Sequence, residues 1–213
     1  MLRGNQLDDS KETKERLLES ALAEFSEKGY MKASLRKICA GAGVTTGALY
    51  FFFNDKEDLF AAIVEQPFNE LKKLLLEHFA AEHEIPLSEM YKHIENGHDA
   101  LSSALIHHLY TNRDPFMLLL TKAQDTRFER CVDEMADMID KAFRSMARVM
   151  ARQLPDKRVN SYMLHWLSHM IVDAFVHLIT HEPNEKKAVK TMTRIMNFFV
   201  KSWVELVFEN KEK

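Results

Sequence analysis

The sequence predicts an all-α protein in two parts: a three-helix N-terminal unit of the helix-turn-helix type, followed by a six-helix domain. Apolar residues recur at helical spacing through most of the chain, and no stretch shows the sustained alternation typical of a strand. Only 6 glycines and 5 prolines occur among 213 residues, and most of them separate the periodic segments. Apolar residues make up 46% and charged residues 29%, which is typical of a globular domain. We place the two domains at 1–55 and 56–213.

The first predicted helix begins at Asp9 or Ser10, both favourable N-cap residues, and ends at Gly29. One face of this helix is apolar, with residues at helical spacing: Leu17, Leu18, Ala21, Leu22 and Phe25. We expect this face to support the two shorter helices that follow.

Two short helices joined by a glycine-containing turn are predicted between residues 34 and 53. Ser34 is the expected N-cap of the first helix and Thr45 that of the second. Gly41 and Gly43 end the first helix, because glycine adopts positive φ without a steric penalty. Such a pair places its second helix in the major groove of double-stranded DNA.

Six further helices fill the rest of the chain. The first of them starts at Asn54 or Asp55, with Glu57 as a capping-box partner of Asn54 and a bend at Pro67. It is predicted to end near Ala80. The remaining predicted helices are Pro86 or Ser88 to about Asn112, a short one from Asp114, Asp125 to Gln153, Asp156 to Thr180, and Glu185 to Phe208.

The residue order at about 10–65 resembles the TetR family of bacterial transcriptional repressors. The matching positions, at the family's spacing, are Ile38-Cys39, Ala42-Gly43-Val44, Thr45, Gly47, Leu49-Tyr50, Phe53, Lys56-Glu57 and Leu59. Two positions depart from the family pattern. Cys39 stands where the family usually has alanine, and Phe52 stands where many members have a histidine or tyrosine that reaches a phosphate. Phenylalanine has no hydrogen-bond donor, so that phosphate contact is not expected here.

The helix-turn-helix assigns DNA-binding roles to six residues. Thr45, Thr46 and Gly47 lie at the start of the second short helix, nearest to the base edges, whereas Arg36, Tyr50 and Lys56 are the candidates for phosphate contacts. Charge agrees with this placement. Residues 28–56 contain five basic residues and one acid, a local charge of +4, which leaves −7 for the remainder of a chain whose net charge is −3. Basic residues on any solvated helix would give the same pattern.

The second domain is rich in methionine and phenylalanine, with 12 and 14 residues in the whole chain. Most of these are expected in the core, although methionine also suits pockets that accept varied apolar ligands. The resemblance implies a small-molecule effector bound in this domain. The candidate pocket residues, taken from helices that line the family's cavity, are Tyr91, His98, Phe116, Met117 and Phe128.

The last two predicted helices are apolar on more than one face, which suggests burial against a second subunit. The resemblance implies a homodimer formed through these helices, and the candidate interface residues are Trp166, Met170, Phe199 and Trp203. The alternative is that both faces are buried within one chain. A dimer would read a palindromic operator, and ligand binding would release it.

Four histidines, His165, His169, His177 and His181, recur along one predicted helix at spacings that permit a shared metal. We interpret them as polar residues at the dimer face, because each step of four residues drifts about 40° around the helix. A metal- or haem-responsive regulator is the alternative. No motif indicates a catalytic group or a cofactor, and no secretion signal or membrane span is predicted. We therefore expect a cytoplasmic regulator that is not an enzyme.

Overall fold

The computed structural model describes the backbone of residues 2–82 and 100–211, and within these ranges the chain is almost entirely helical. The helices are α1 (Leu2–Lys32), α2 (Leu35–Gly41), α3 (Thr46–Phe52), α4 (Lys56–Glu82), α5 (including residues 100–111), α6 (Arg113–Lys122), α7 (Cys131–Ala151), α8 (Ser161–His181) and α9 (Glu185–Val207). The two strands are β1 (Lys157–Val159) and β2 (Phe208–Asn210). The predicted all-α class with an N-terminal helix-turn-helix is confirmed.

The described chain divides into two compact units. One unit holds Met1–Asn69 and Asn112–Arg130, and the other holds Glu70–Thr111 and Cys131–Lys213. The division therefore falls inside α4, rather than at the predicted boundary between 55 and 56. The segment 112–130 joins the first unit because α6 packs against α1.

The core of the first unit is built around the apolar face predicted for α1. Leu17, Ala21 and Phe25 are fully buried. The Phe25 ring meets the edge of Phe60 from α4, with ring centroids 5.2 Å apart, and Phe60 lies 6.2 Å from Phe128. At Gly29 the backbone leaves helical geometry (φ 76°, ψ 163°), so α1 is interrupted where the sequence predicted its end.

The core of the second unit forms where α8 packs against α7 and α9. An aromatic cluster lies within it: the ring of Phe143 is 4.7 Å from Trp203 and 5.7 Å from Phe199. By length and mean hydropathy α8 could cross a membrane, but such values are also common in the core helices of globular proteins. The packing of α8 against α7 and α9 agrees with a core helix.

Strands β1 and β2 form an antiparallel ribbon that the sequence did not predict. The ribbon explains why α8 starts at Ser161 rather than at Asp156, since Lys157 pairs with Asn210 and Val159 with Phe208. Asn160 then caps α8, because its side chain accepts from the Met163 N–H at 3.0 Å. Three residues per strand are too few to give a recognisable alternation.

Helix α7 also begins later than predicted, at Cys131 instead of Asp125. Asp125 has a φ of 61°, which a helix cannot accommodate. Thr126 follows in a turn, where its hydroxyl donates to the Ala123 carbonyl at 2.6 Å.

Candidate nucleic-acid interface and ligand cavity

The turn between α2 and α3 depends on two glycines with different roles. Gly43 has a φ of +68°, as the sequence predicted for this turn. Gly41 is required for packing, because a Cβ at this position would lie 2.4 Å from the Ser20 hydroxyl of α1. That hydroxyl donates to the Ile38 carbonyl at 2.9 Å and so ties α1 to α2.

The caps of these helices agree with the sequence only in part. Thr45 caps α3, since its hydroxyl accepts from the Ala48 N–H at 3.2 Å. Ser34 occupies the N-cap position of α2, but its side chain makes no capping bond. Its N–H instead donates to the Glu24 carboxylate at 3.1 Å, which anchors the entry of α2 to α1.

Helix α3 presents one continuous exposed face. Leu49 is fully buried and holds the helix on the unit, while Thr45, Thr46 and Gly47 are exposed at its N-terminal end. Tyr50 is 54% exposed, one turn further along the same face. The residues predicted to approach the base edges, and the tyrosine predicted to contact a phosphate, therefore share one accessible surface.

This exposed face also contains an aromatic residue that sequence reasoning did not single out. Phe51 is 78% exposed, and its ring meets that of half-buried Phe52 edge-on at 5.0 Å. A phenyl ring on a recognition helix can pack against a thymine methyl group. The sequence signal that could have identified Phe51 is its position directly after Tyr50.

The positive charge near α2 is smaller than the count over residues 28–56 implied. Glu27, one residue outside that window, forms an ion pair with Lys28. The hydrogen bond from Lys28 and its charge hold the pKa of Glu27 below its ordinary value. Arg36 and Lys37 of α2 are exposed, so they are the clearest cations for phosphate contact.

Lys56, the third predicted phosphate contact, is half-buried and has structural contacts of its own. Its ammonium group donates to the Met31 carbonyl at 3.2 Å and lies 4.6 Å from the centroid of the Tyr30 ring. Burial, followed by the charges of Glu57 and Asp55, raises the pKa of Tyr30. Lys56 therefore links the start of α4 to the end of α1.

The cap of α4 differs from the predicted pairing of Asn54 with Glu57. Asp55 accepts from the Asp58 N–H at 2.8 Å, and Asp58 accepts in return from the Asn54 N–H at 3.0 Å. Glu57 is thereby available for a distant contact and accepts from the Arg127 N–H at 2.9 Å. Asp55 and Asp58 have the same spacing as Asn54 and Glu57, so spacing alone did not distinguish the two pairs.

An apolar cavity lies within the second unit. Five helices line it, and the lining residues are Leu75, His78, Phe79, Leu101, Ser102, Leu105, Ile139, Phe143, Met146, Ile171, Phe175, Met196, Phe199, Val200 and Trp203. None of these described lining residues is Asp, Glu, Lys or Arg. Such an apolar lining is typical of small-molecule sites.

Three of the five predicted pocket residues do not line this cavity. Phe116 and Phe128 are buried in the first unit, and Met117 is half-buried there. Tyr91 and His98 lie outside the described residues. Sequence periodicity gave the helices but not their rotation, so it did not identify which apolar positions surround the cavity.

The four predicted interface residues separate into two groups. Trp166 is 49% exposed and Met170 is half-buried, so both are accessible on α8. Phe199 and Trp203 are 4% and 3% exposed and line the cavity, which removes them from the outer surface of this chain. Exposed apolar side chains that the sequence did not single out are Tyr162 on α8 and Phe198 on α9.

The histidines of α8 form two ring pairs along the helix. His165 and His169 have ring centroids 4.7 Å apart, and His177 stacks on His181 at 4.4 Å. Within the described part of the chain, no three residues among His, Cys, Asp and Glu are grouped closely enough to hold a metal ion.

Comparison with known proteins gives a match at the N-terminal segment. Residues 17–63 match the model for bacterial regulatory proteins of the TetR family. The HTH-type transcriptional regulator AcrR of Shigella flexneri is 41% identical over 80 residues, which are 38% of this chain and 37% of that protein. The HTH-type transcriptional repressor BepR of Brucella suis is 35% identical over 79 residues, which are 37% of this chain and 38% of that protein. The sequence match thus spans less than two fifths of these relatives.

Solved structures extend the similarity of the fold to most of the chain. NalD from Pseudomonas aeruginosa, described as the secondary repressor of the MexAB-OprM multidrug efflux pump, aligns with a TM-score of 0.56 and 22% identity. The alignment covers 88% of this chain and 96% of NalD. A TetR-like transcriptional regulator from Rhodococcus aligns with a TM-score of 0.59 and 16% identity, covering 91% and 96% of the two chains. At these identities the likeness shows the fold.

Proposed function

We propose that the chain, whose residues 17–63 match the model for bacterial regulatory proteins of the TetR family, is a homodimeric transcriptional repressor of the cytoplasm. In this proposal it binds a palindromic operator and is released by a small, largely apolar ligand. The observation that carries the DNA-binding part is the exposed face of α3, which Thr45 caps and the Gly41–Gly43 turn presents.

Recognition of the operator follows from that face. Thr46 and Gly47 would approach base edges in the major groove, and the absence of a side chain at Gly47 allows close approach. Arg36 and Tyr50 would bind phosphates and fix the orientation of the helix. In a dimer the two α3 helices would enter successive major grooves about 34–36 Å apart.

The ligand part rests on the apolar cavity of the second unit. Helix α4 contributes Leu75, His78 and Phe79 to its lining, and the same helix begins at Lys56, beside the helix-turn-helix. A ligand that binds one conformation of this helix more tightly than another would shift the population of DNA-binding dimers. The relatives named above as repressors support this direction of regulation.

The test begins with selection of binding sites from random double-stranded DNA, followed by affinity titrations on the selected site. We expect a palindrome whose half-sites lie about 10 base pairs apart or a multiple of that. Arg36→Ala removes one phosphate contact from each subunit of the dimer, so it should weaken binding to all sites alike and reduce the slope of log K against log salt by about 2.

The matched control is Lys186→Ala, which removes an equally exposed cation from α9 in the other unit. Its slope and affinity should stay at wild-type values. If no sequence is enriched, or if both variants lower the slope equally, α3 and α2 are not the DNA-binding surface.

A further inference from the structure

The lining of the cavity in the second unit includes the indole N–H of Trp203. Trp203 is 3% exposed, and its Nε1 has no hydrogen-bond partner among the described residues. A buried N–H without an acceptor costs roughly 1–3 kcal/mol, and nearly all such groups in folded proteins are paired. The position of this donor in a cavity wall makes a bound molecule a natural source of the acceptor.

The orientation of the Trp203 ring is fixed by its neighbours. The edge of Phe143 meets it at a centroid distance of 4.7 Å, and Phe199 lies 5.6 Å away at an interplanar angle of 54°. Phe199 and Trp203 are four residues apart on α9, so both side chains face the same side of that helix. A ring held in this way loses little conformational entropy when its N–H donates to a bound molecule.

The rest of the lining restricts the charge of the ligand. The described lining residues include no carboxylate, ammonium or guanidinium group. A cationic ligand would therefore give up its hydration without gaining an ion pair, and an anionic ligand would meet only the imidazole of His78 as a possible cation among these residues. The favoured ligand is uncharged and mostly apolar.

We propose that Trp203 selects the effector by donating an Nε1–H hydrogen bond to it. The ligand class is then a neutral, largely apolar molecule that carries at least one acceptor oxygen, such as a ketone, an ester or a lactone. This inference rests on the proposed ligand-responsive function and adds the chemistry of the ligand to it.

Two probes of the same skeleton test the proposal: benzophenone, which has a carbonyl oxygen, and diphenylmethane, which has none. Dissociation constants are measured on the free protein by calorimetry. Wild type should bind the ketone about 3- to 10-fold more tightly, the range expected for one net hydrogen bond. Trp203→Phe keeps an aromatic ring but lacks the N–H. The ratio of its dissociation constants for diphenylmethane and benzophenone should therefore fall to 1 or reverse.

Tyr110→Phe is the matched control, because it removes a part-buried hydroxyl of the same unit that donates to the Leu178 carbonyl at 3.0 Å. Its preference for the ketone should equal that of wild type. The chain has only 2 tryptophans, so the indole N–H signal that disappears in Trp203→Phe belongs to Trp203. That signal should move downfield in proton–nitrogen correlation spectra with benzophenone and stay in place with diphenylmethane.

Three results would overturn the proposal: no binding of either probe to wild type, equal binding of both, or an unchanged preference in Trp203→Phe. Each leaves the operator selection described above unaffected, because the preference is measured without DNA. Conversely, failure to enrich an operator would contradict the proposed repressor function. The proposed role of Trp203 would still be supported if wild type prefers the ketone and Trp203→Phe does not.

Discussion

At the residue scale, Gly41 shows how a correct sequence feature can have a different cause from the one expected. The sequence indicated a turn at two glycines, but only Gly43 has the positive φ that favours glycine. Gly41 is needed because α1 approaches so closely that the Ser20 hydroxyl occupies the space of a Cβ. Contacts between helices distant in sequence leave no periodic signal, so this role could not be predicted.

Gly41→Ala should lower the free energy of unfolding by about 1–2 kcal/mol. The Ser20 hydroxyl would have to rotate away and give up its bond to the Ile38 carbonyl. Denaturant unfolding measures the loss. The double variant Gly41→Ala/Ser20→Ala should be no less stable than Ser20→Ala alone, because the new Cβ then meets only the Ser20 Cβ at 3.4 Å. Purely additive losses would show that the close contact is not the cause.

Cys131 gives a prediction about alkaline pH. Burial raises the pKa of its thiol to about 11, from an ordinary value of 9.0. As the pH rises, the unfolded chain releases this proton first, so the stabilisation is complete below about pH 9 and is lost towards pH 11. Between pH 8.5 and 10.5 wild type should lose about 1.5–2 kcal/mol more stability than Cys131→Ala. Other groups titrate in both proteins, so parallel curves would mean that the thiol is not buried as described.

At the scale of helices, the first unit agrees closely with the sequence because its signals are local. Thr45 caps α3, Gly29 interrupts α1, and the apolar spacing of Leu17, Ala21 and Phe25 identifies the buried face. The second unit was less predictable. The ribbon that delays α8 joins Lys157 to Asn210, and no local pattern reports a pairing over that separation.

The two candidate sites also differ in how far the sequence could predict them. The exposed positions of Thr46, Gly47 and Tyr50 on α3 could be predicted from helical spacing and one cap, whereas Phe51 on the same face was not singled out. The cavity could not, because Leu75, Phe143 and Trp203 come from three helices whose relative rotation depends on packing. Trp203 was therefore assigned to an outer surface, although it lies in the wall of the cavity.

Lys56 connects two helices, and its substitution should affect folding as well as DNA binding. Lys56→Met keeps an apolar side chain but removes the bond to the Met31 carbonyl and the cation over the Tyr30 ring. We expect a loss of about 1–2 kcal/mol in unfolding free energy, from one charged hydrogen bond and one cation–π contact. Lys37→Met, at an exposed position of α2, should change stability by less than about 0.5 kcal/mol. Equal stability of the two variants would assign Lys56 to DNA contact alone.

At the scale of the whole molecule, we propose that a second copy of the chain covers the exposed apolar residues of α8 and α9. Tyr162, Trp166 and Phe198 are 74%, 49% and 67% exposed, and they lie on the two helices that the family resemblance assigns to dimerisation.

Trp166→Asp should place a charge in the interface and convert a dimer to a monomer, with an apparent mass near 24.8 kDa by light scattering. Phe51→Asp alters an even more exposed aromatic residue in the other unit and should leave the dimer intact. Because a palindrome has two half-sites, tight DNA binding should also depend on the dimer. Trp166→Asp should therefore bind a single half-site about as well as wild type, but a full palindrome should no longer increase its affinity. A wild-type chain that is monomeric at micromolar concentration, or a Trp166→Asp variant that remains dimeric, would require a different surface for assembly.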